Sequence, residues 1–295
     1  MLVDAEDKDE WQEEVLHRPQ TADLVRTLLC QTEPREGSYH YISDVDGCAI
    51  LSLLWNARKG QKCFFPALTQ LNTVRPRARD KVIASLVLRA RHIAEIAVGK
   101  RHGLGPEFVD EDDFEDKLHC AARSLSTLTV LALNLMSDPA LSCIFLKHNI
   151  IFEYAPAFFV LSKGAHSHYM ETRGGANGTL SSDPQEARVS QAIWATIAAM
   201  LSGSFRTILT ERARRSNSAV SAAISGGLLQ TILRCFIHLL PNSRELNALI
   251  DDALPIVLRS VQTKKGIYSL STAYAKHFSS DSAGGDELSA LMDLA

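Results

Sequence analysis

Asp44 and Asp46, in the run Ile42-Ser43-Asp44-Val45-Asp46-Gly47, set two carboxylates two residues apart, just behind Ser38–Ile42, which reads as extended. Paired carboxylates at a strand end suit nucleophilic and acid/base chemistry. The same run fails as a calcium loop. With Gly47 at loop position six, Ile42 and Leu53 fall where oxygen ligands are required. His166 and His168, with His40, His119 and His148 elsewhere, are a weak set of metal ligands and read as solvated loop residues. Gly99-Lys100-Arg101-His102-Gly103-Leu104-Gly105 has no preceding strand and is followed by Pro106. It reads as a helix C-cap with basic residues at the negative end of the dipole, not as a phosphate loop.

The Asp44-x-Asp46 run resembles the nucleophile loop of the haloacid dehalogenases. The resemblance implies that Asp44 attacks a phosphoryl group, that Asp46 acts as acid and base, and that Asp251-Asp252 mimics the acidic pair holding magnesium. Cys48 stands where that family prefers threonine, and the alternating strands and helices of that fold are not in the pattern. Asp46-Gly47 also suits a turn before a helix, and Asp251-Asp252 a helix surface. The expectation is therefore a non-enzyme with no catalytic residues, metal or cofactor, and a phosphohydrolase using Asp44 and Asp46 is the alternative.

Elements that could position any site are helical. Val82, Leu86, Ile93 and Ala97 share one helical face, as do Val189, Ile193, Ile197, Met200 and Leu201, and Leu228, Ile232, Cys235, Phe236 and Leu239. Helices are predicted at 20–31, 46–59, 77–99, 112–136, 138–148, 150–163, 184–202, 203–216, 226–240, 243–264 and 286–294. Between 127 and 163, two apolar-rich segments flank a polar turn at Ser137-Asp138-Pro139, with Asp138 as N-cap and Pro139 at the first helical position. Leu239–Ser243 and the helix after it echo that unit in outline, as degenerate helical repeats of about 40 residues do.

Gly103–Asp116 carries seven acids and reads as a solvated loop. Lys163–Pro184 is rich in Gly, Ser, Thr and His and reads as the longest loop, inserted within one helical domain spanning 1–278. Residues 279–295 read as a flexible linker and a short helix, Glu287–Leu294, able to dock on a partner or to cap the stack. The composition, 46% hydrophobic and 22% charged with net charge -3, is that of an ordinary globular chain and favours neither nucleic acid nor an anionic membrane. Arg75, Arg77, Arg79, Lys81, Arg89, Arg91, Lys100 and Arg101 form one basic region, and Arg206, Arg212, Arg214 and Arg215 a second. Without interleaved aromatics these read as solvated, partly ion-paired faces. Cys30, Cys48, Cys120, Cys143 and Cys235 lie on helix-like stretches and read as buried thiols in a reducing compartment, while Cys63 follows Gln61-Lys62. The acidic N-terminus lacks the apolar stretch of a signal peptide, and Asn177-Gly178-Thr179 reads as a loop rather than a glycosylation site. An intracellular location is expected, with cytoplasm and nucleus equally open.

The run Asn134-Leu135-Met136-Ser137-Asp138-Pro139, followed by Phe145-Leu146-Lys147-His148-Asn149-Ile150-Ile151, resembles an armadillo repeat, in which a helix ends in Asn-Leu, crosses a polar turn and bends before the next helix. Leu54-Trp55-Asn56-Ala57 resembles the same helix end, and Ile193-Trp194-Ala195 resembles the family's tryptophan without the asparagine that follows it. The helical style is also similar to that of fungal proteins carrying a MYND-type zinc finger, but the dense Cys/His cluster of that finger is missing. The armadillo resemblance implies an irregular right-handed α-solenoid of the armadillo/HEAT kind. It further implies a scaffold binding a peptide or protein partner in a groove lined by Asn56, Asn134 and Trp194. An amide can both donate to and accept from the backbone of an extended peptide; an asparagine near a helix end can equally cap that helix. The chain could also be the helical portion of a larger protein whose activity lies elsewhere.

Overall fold

A computed structural model describes residues 18–32, 37, 39, 43–44, 47–48, 50–51, 71, 74–100, 114–174, 190–203, 218–240 and 243–261. The chain is all-α. In order, its helices are α1 (Pro19–Cys30), α2 (Pro76–Ala97), α3 (Phe114–Met136), α4 (Pro139–Lys147), α5 (Ile150–Gly174), α6 (190–203), α7 (Ser218–Ser225) and α8 (Leu228–His238). The last described helix is α9, where Arg244–Ala248 runs through a π-helical turn, Leu249–Ala253, into Leu254–Val261. Among the described residues the strands are two-residue pieces, β1 (Ser43–Asp44) and β2 (Gly47–Cys48), paired antiparallel. Gly47 and Cys48 therefore belong to a hairpin and not to the helix expected from residue 46. Helix is seen at 50–51, and 52–59 lie outside the described residues, as do 204–217 and 262–295.

Local chemistry sets several boundaries where the sequence places them. The Asp138 carboxylate accepts from the N–H groups of Ala140 (2.8 Å) and Leu141 (3.4 Å), and Pro139 opens α4. At the end of α2, Gly99 takes φ 69°, the Lys100 N–H donates to Glu95 O and the Gly99 N–H donates to Ile96 O. These bonds satisfy carbonyls the last turn would leave open. Ser243 caps α9 by accepting from the Leu246 N–H.

One expected boundary moves. Helix α5 runs on to Gly174, through a segment whose Ser, Gly and His content reads as a loop. Ser162, Ala165 and His166 are buried there, so the polarity serves contacts inside the protein. Two junctions, α4–α5 and α7–α8, share a backbone pattern. In both places a short helix ends, one residue adopts left-handed backbone (Asn149, φ 56°; Gly227, φ 93°), and a longer helix begins. A further helix follows each, α6 and α9.

The longer helices stack as a parallel ladder, α2–α5–α8. Between α2 and α5, Lys147 just ahead of α5 reaches Asp80, Tyr154 donates to Leu86 O, and Gly164 lies against Val98, so contacts advance in the same direction along both. The first two partners are 67 and 68 residues apart in sequence. Between α5 and α8, Ser162 meets Thr231 and Arg234, and His166 meets His238, at separations of 69 to 72 residues. Close approach needs small residues: a Cβ on Gly164 would sit 2.5 Å from Val98 Cγ1, and one on Gly227 2.5 Å from the Phe159 ring.

Helix α5 is the hub, touching α2, α3, α4, α7 and α8. Its Ile150, Tyr154, Phe158 and Leu161 are fully buried, each contributing roughly 1.5–3 kcal/mol by area burial. No single described helix is long and apolar enough to cross a membrane. The pair α4 and 150–169 passes that test together, but it is bent by 67°, and its Leu141, Phe145, Tyr154, Phe158 and Leu161 are buried inside the fold.

Candidate binding surface

Helices α3, α6 and α9 follow the long helices α2, α5 and α8 in the chain. The C-terminal ends of α3 and α6 meet where Gly203 lies against Leu133, and a Cβ built there would be 3.8 Å from Leu133 Cδ1. Helix α6 meets the π turn of α9 where the Ser202 hydroxyl donates to Asp252 Oδ2 at 2.8 Å. The wider π turn inserts one extra residue per turn and re-aims side chains; here it leaves Ile250 and Asp251 exposed beside the Ser202–Asp252 contact. Ala199 and Asn247 are exposed nearby on α6 and α9.

Asn134 sits half-buried at the end of α3, next to the Leu133–Gly203 contact. Its Nδ2 donates to Val130 O at 2.8 Å, back into its own helix, and its backbone carbonyl accepts from Ser137 N–H and Oγ–H. One amide proton is thus engaged. The side-chain oxygen accepts from no group among the described residues.

Of the other groove candidates, Trp194 does not join it. Trp194 is 1% exposed and its indole stacks flat on His238, centroids 4.3 Å apart and 12° from parallel. A ring enclosed in this way presents no face to a peptide, so Trp194 belongs to the core. Asn56 lies outside the described residues, as does Asp46. Asp44 falls on the antiparallel β1–β2 hairpin, not at the carboxyl end of a parallel strand, and Asp252 is engaged by Ser202.

Sequence pattern alone misses a polar seam between α5, α6 and α8. His166, expected in a solvated loop, is 9% exposed, and its Nδ1 lies 2.8 Å from Nε2 of His238, itself 6% exposed. Gln191 Nε2 donates to His238 O, and the Arg234 guanidinium donates to Ser162 Oγ while lying 5.0 Å from the Phe159 ring. The Cys235 thiol, fully buried, is pushed well above its usual range. The only advance sign of this seam is helical phase: His166 lies four residues after Ser162 and His238 four after Arg234, so each pair shares a face.

The basic region also resolves into parts. Arg89 is buried, donating to Leu29 O at 2.8 Å beneath the Tyr39 ring, and burial lowers its pKa. Arg91 pairs with Glu95 at 2.9 Å, while Arg75, Arg77 and Lys81 stay exposed. Cysteines 48, 120 and 235 are buried, but Cys143 is exposed on α4, against expectation.

No protein-family model matches this sequence, no curated protein matches it, and no solved structure matches its fold. The functional reading therefore rests on the arrangement of the chain's own residues.

Proposed function

We propose that the chain is a non-catalytic scaffold, an irregular right-handed α-solenoid of the armadillo or HEAT kind, that binds an extended or helical segment of a partner protein across α3, α6 and α9. The observation that carries this reading is the ladder: equivalent helices run parallel at near-constant sequence separations, with a left-handed residue just ahead of α5 and of α8. Stacked units of this kind bury their faces on one another and leave a continuous outer surface, which is what such stacks use for recognition. Asn134 offers an amide acceptor on that surface, and Asp251 supplies charge selection at its other end. Nucleic acid and membrane are the less fitting partners, since the overall charge is -3.

The test compares proteins captured by the full chain with those captured by Asn134→Arg/Ala199→Arg and by Phe152→Arg, an exposed position on α5. Loss of a specific captured protein from the first variant alone supports the surface. Unchanged capture by both variants refutes it. A magnesium-dependent phosphatase activity abolished by Asp44→Asn would replace the scaffold reading with the enzymatic one.

A further inference from the structure

We infer that the His166–His238 pair is a proton-sensitive joint, which lets α8 and its unit part from α5 as the surroundings acidify. This inference stands on the seam's geometry and is independent of what α3, α6 and α9 bind.

The two imidazoles meet ring nitrogen to ring nitrogen, His166 Nδ1 to His238 Nε2, at 2.8 Å. A contact of that length holds one hydrogen between the two nitrogens. In the neutral pair one ring donates and the other accepts. A first added proton can go to an outer nitrogen, leaving the shared hydrogen bond intact. A second would place a hydrogen on both facing nitrogens, and N–H would then confront H–N at a distance where neither can accept. The closed joint therefore takes up at most one extra proton.

The surroundings sharpen this limit. On α8, the Arg234 guanidinium lies one turn before His238, held by Ser162 and the Phe159 ring, and adds a like charge. Cys235 on the same helix is a buried neutral thiol. From α5, Tyr169 presents its ring edge to His238 with centroids 4.6 Å apart, while Lys163 is exposed and His168 half-buried. From α6 come Gln191 and Trp194, both uncharged. The indole stacked on His238 tolerates one imidazolium through its π face.

Parted and hydrated, each histidine titrates near its ordinary value of about 6.5 and the pair takes two protons. The parted state thus binds more protons than the closed one at low pH, so the closed joint loses stability as pH falls. With a difference of one proton, the opening constant rises about tenfold for each pH unit below roughly 6. The α2–α5 contact has no such pair among its described contacts, so opening should be confined to the α5–α8 side.

Amide hydrogen exchange on the full chain between pH 7 and pH 4.5, corrected for the intrinsic pH dependence of exchange, tests this. The expected result is that protection in α8 and around 159–169 falls about tenfold per pH unit below roughly 6, while protection in α2 holds. His166→Gln, which keeps a hydrogen-bonding side chain that does not titrate, should flatten the α8 response. Parallel loss of protection in α2 and α8 of the unaltered chain overturns the proposal, and so does an unchanged slope in His166→Gln. Should that variant fold poorly, the α2-against-α8 comparison in the unaltered chain decides alone.

Discussion

The two joints of the long-helix ladder share a geometry and differ in chemistry. Both bring parallel helices into register at similar sequence separations. At the α2–α5 joint the described buried polar contact is the long one from the Tyr154 hydroxyl to Leu86 O, and both helices bury apolar residues, among them Leu86, Ala90, Phe158 and Leu161. Its polar groups stay at the rim, where Asp80 pairs with Lys147 and His148, and Arg91 with Glu95. At the α5–α8 joint the polar groups go inside, as Ser162, Thr231, Arg234, His166 and His238. Apolar packing tolerates sliding and small repacking, whereas a buried hydrogen-bonded seam is satisfied at one register only. The first joint is built for strength and the second for a defined setting.

Substitutions can break this contrast in graded steps. The largest effect is expected at the apolar joint. Tyr154→Ala should cost about 4 kcal/mol in denaturant unfolding by leaving a cavity in the centre of the fold. Tyr154→Phe should be close to neutral, because the hydroxyl makes only a long contact of 3.5 Å to Leu86 O. A large loss from Tyr154→Phe would mean that this joint also depends on polar registration.

Gly227→Ala comes next. The new methyl would enter the Phe159 ring from a backbone at φ 93°, and the combined strain and overlap should cost roughly 3 kcal/mol. A loss well under 1 kcal/mol would show that the α5–α8 joint slides as freely as the apolar one.

The smallest effect belongs to Glu153, at the rim of the first joint. Desolvation raises its pKa, Arg91 opposes the shift and Glu95 adds to it. A carboxyl whose folded pKa is raised costs stability at neutral pH, and that cost is relieved as pH falls through the raised value. Glu153→Gln should therefore stabilise the protein slightly at pH 7, by less than about 0.5 kcal/mol because the group is half exposed, with the gain vanishing near pH 4. A destabilisation at pH 7 would mean that its pairing with Arg91 outweighs burial.

What could be read from the sequence follows the reach of each signal. The Asp138-Pro139 start and the Gly99 stop are decided by atoms within a few residues, so both were legible. The extension of α5 beyond Lys163 was not, because Ser162 and His166 are satisfied by Thr231, Arg234 and His238 some 70 residues away. The fate of Trp194 is hidden too, since its stacking partner His238 lies well beyond local sequence. Helical spacing puts it on a face with Ile193 and Ile197 nearby, but only the position of His238 decides whether that face is groove or core. Of the proposed surface, Asn134 alone was legible. Ser202, Asp252 and the π turn carry no local signature that distinguishes them from ordinary helix.

The ladder also governs how this protein must come together. Helical chains usually assemble from neighbours in sequence and do so quickly, but each joint here links residues 67 to 72 positions apart. Closing a loop of that size costs about 4 kcal/mol of chain entropy before any contact repays it. The molecule therefore carries the secondary structure of a fast folder and the contact separations of a slow one, and its folding rate should fall nearer those of β-rich domains than of compact helical bundles.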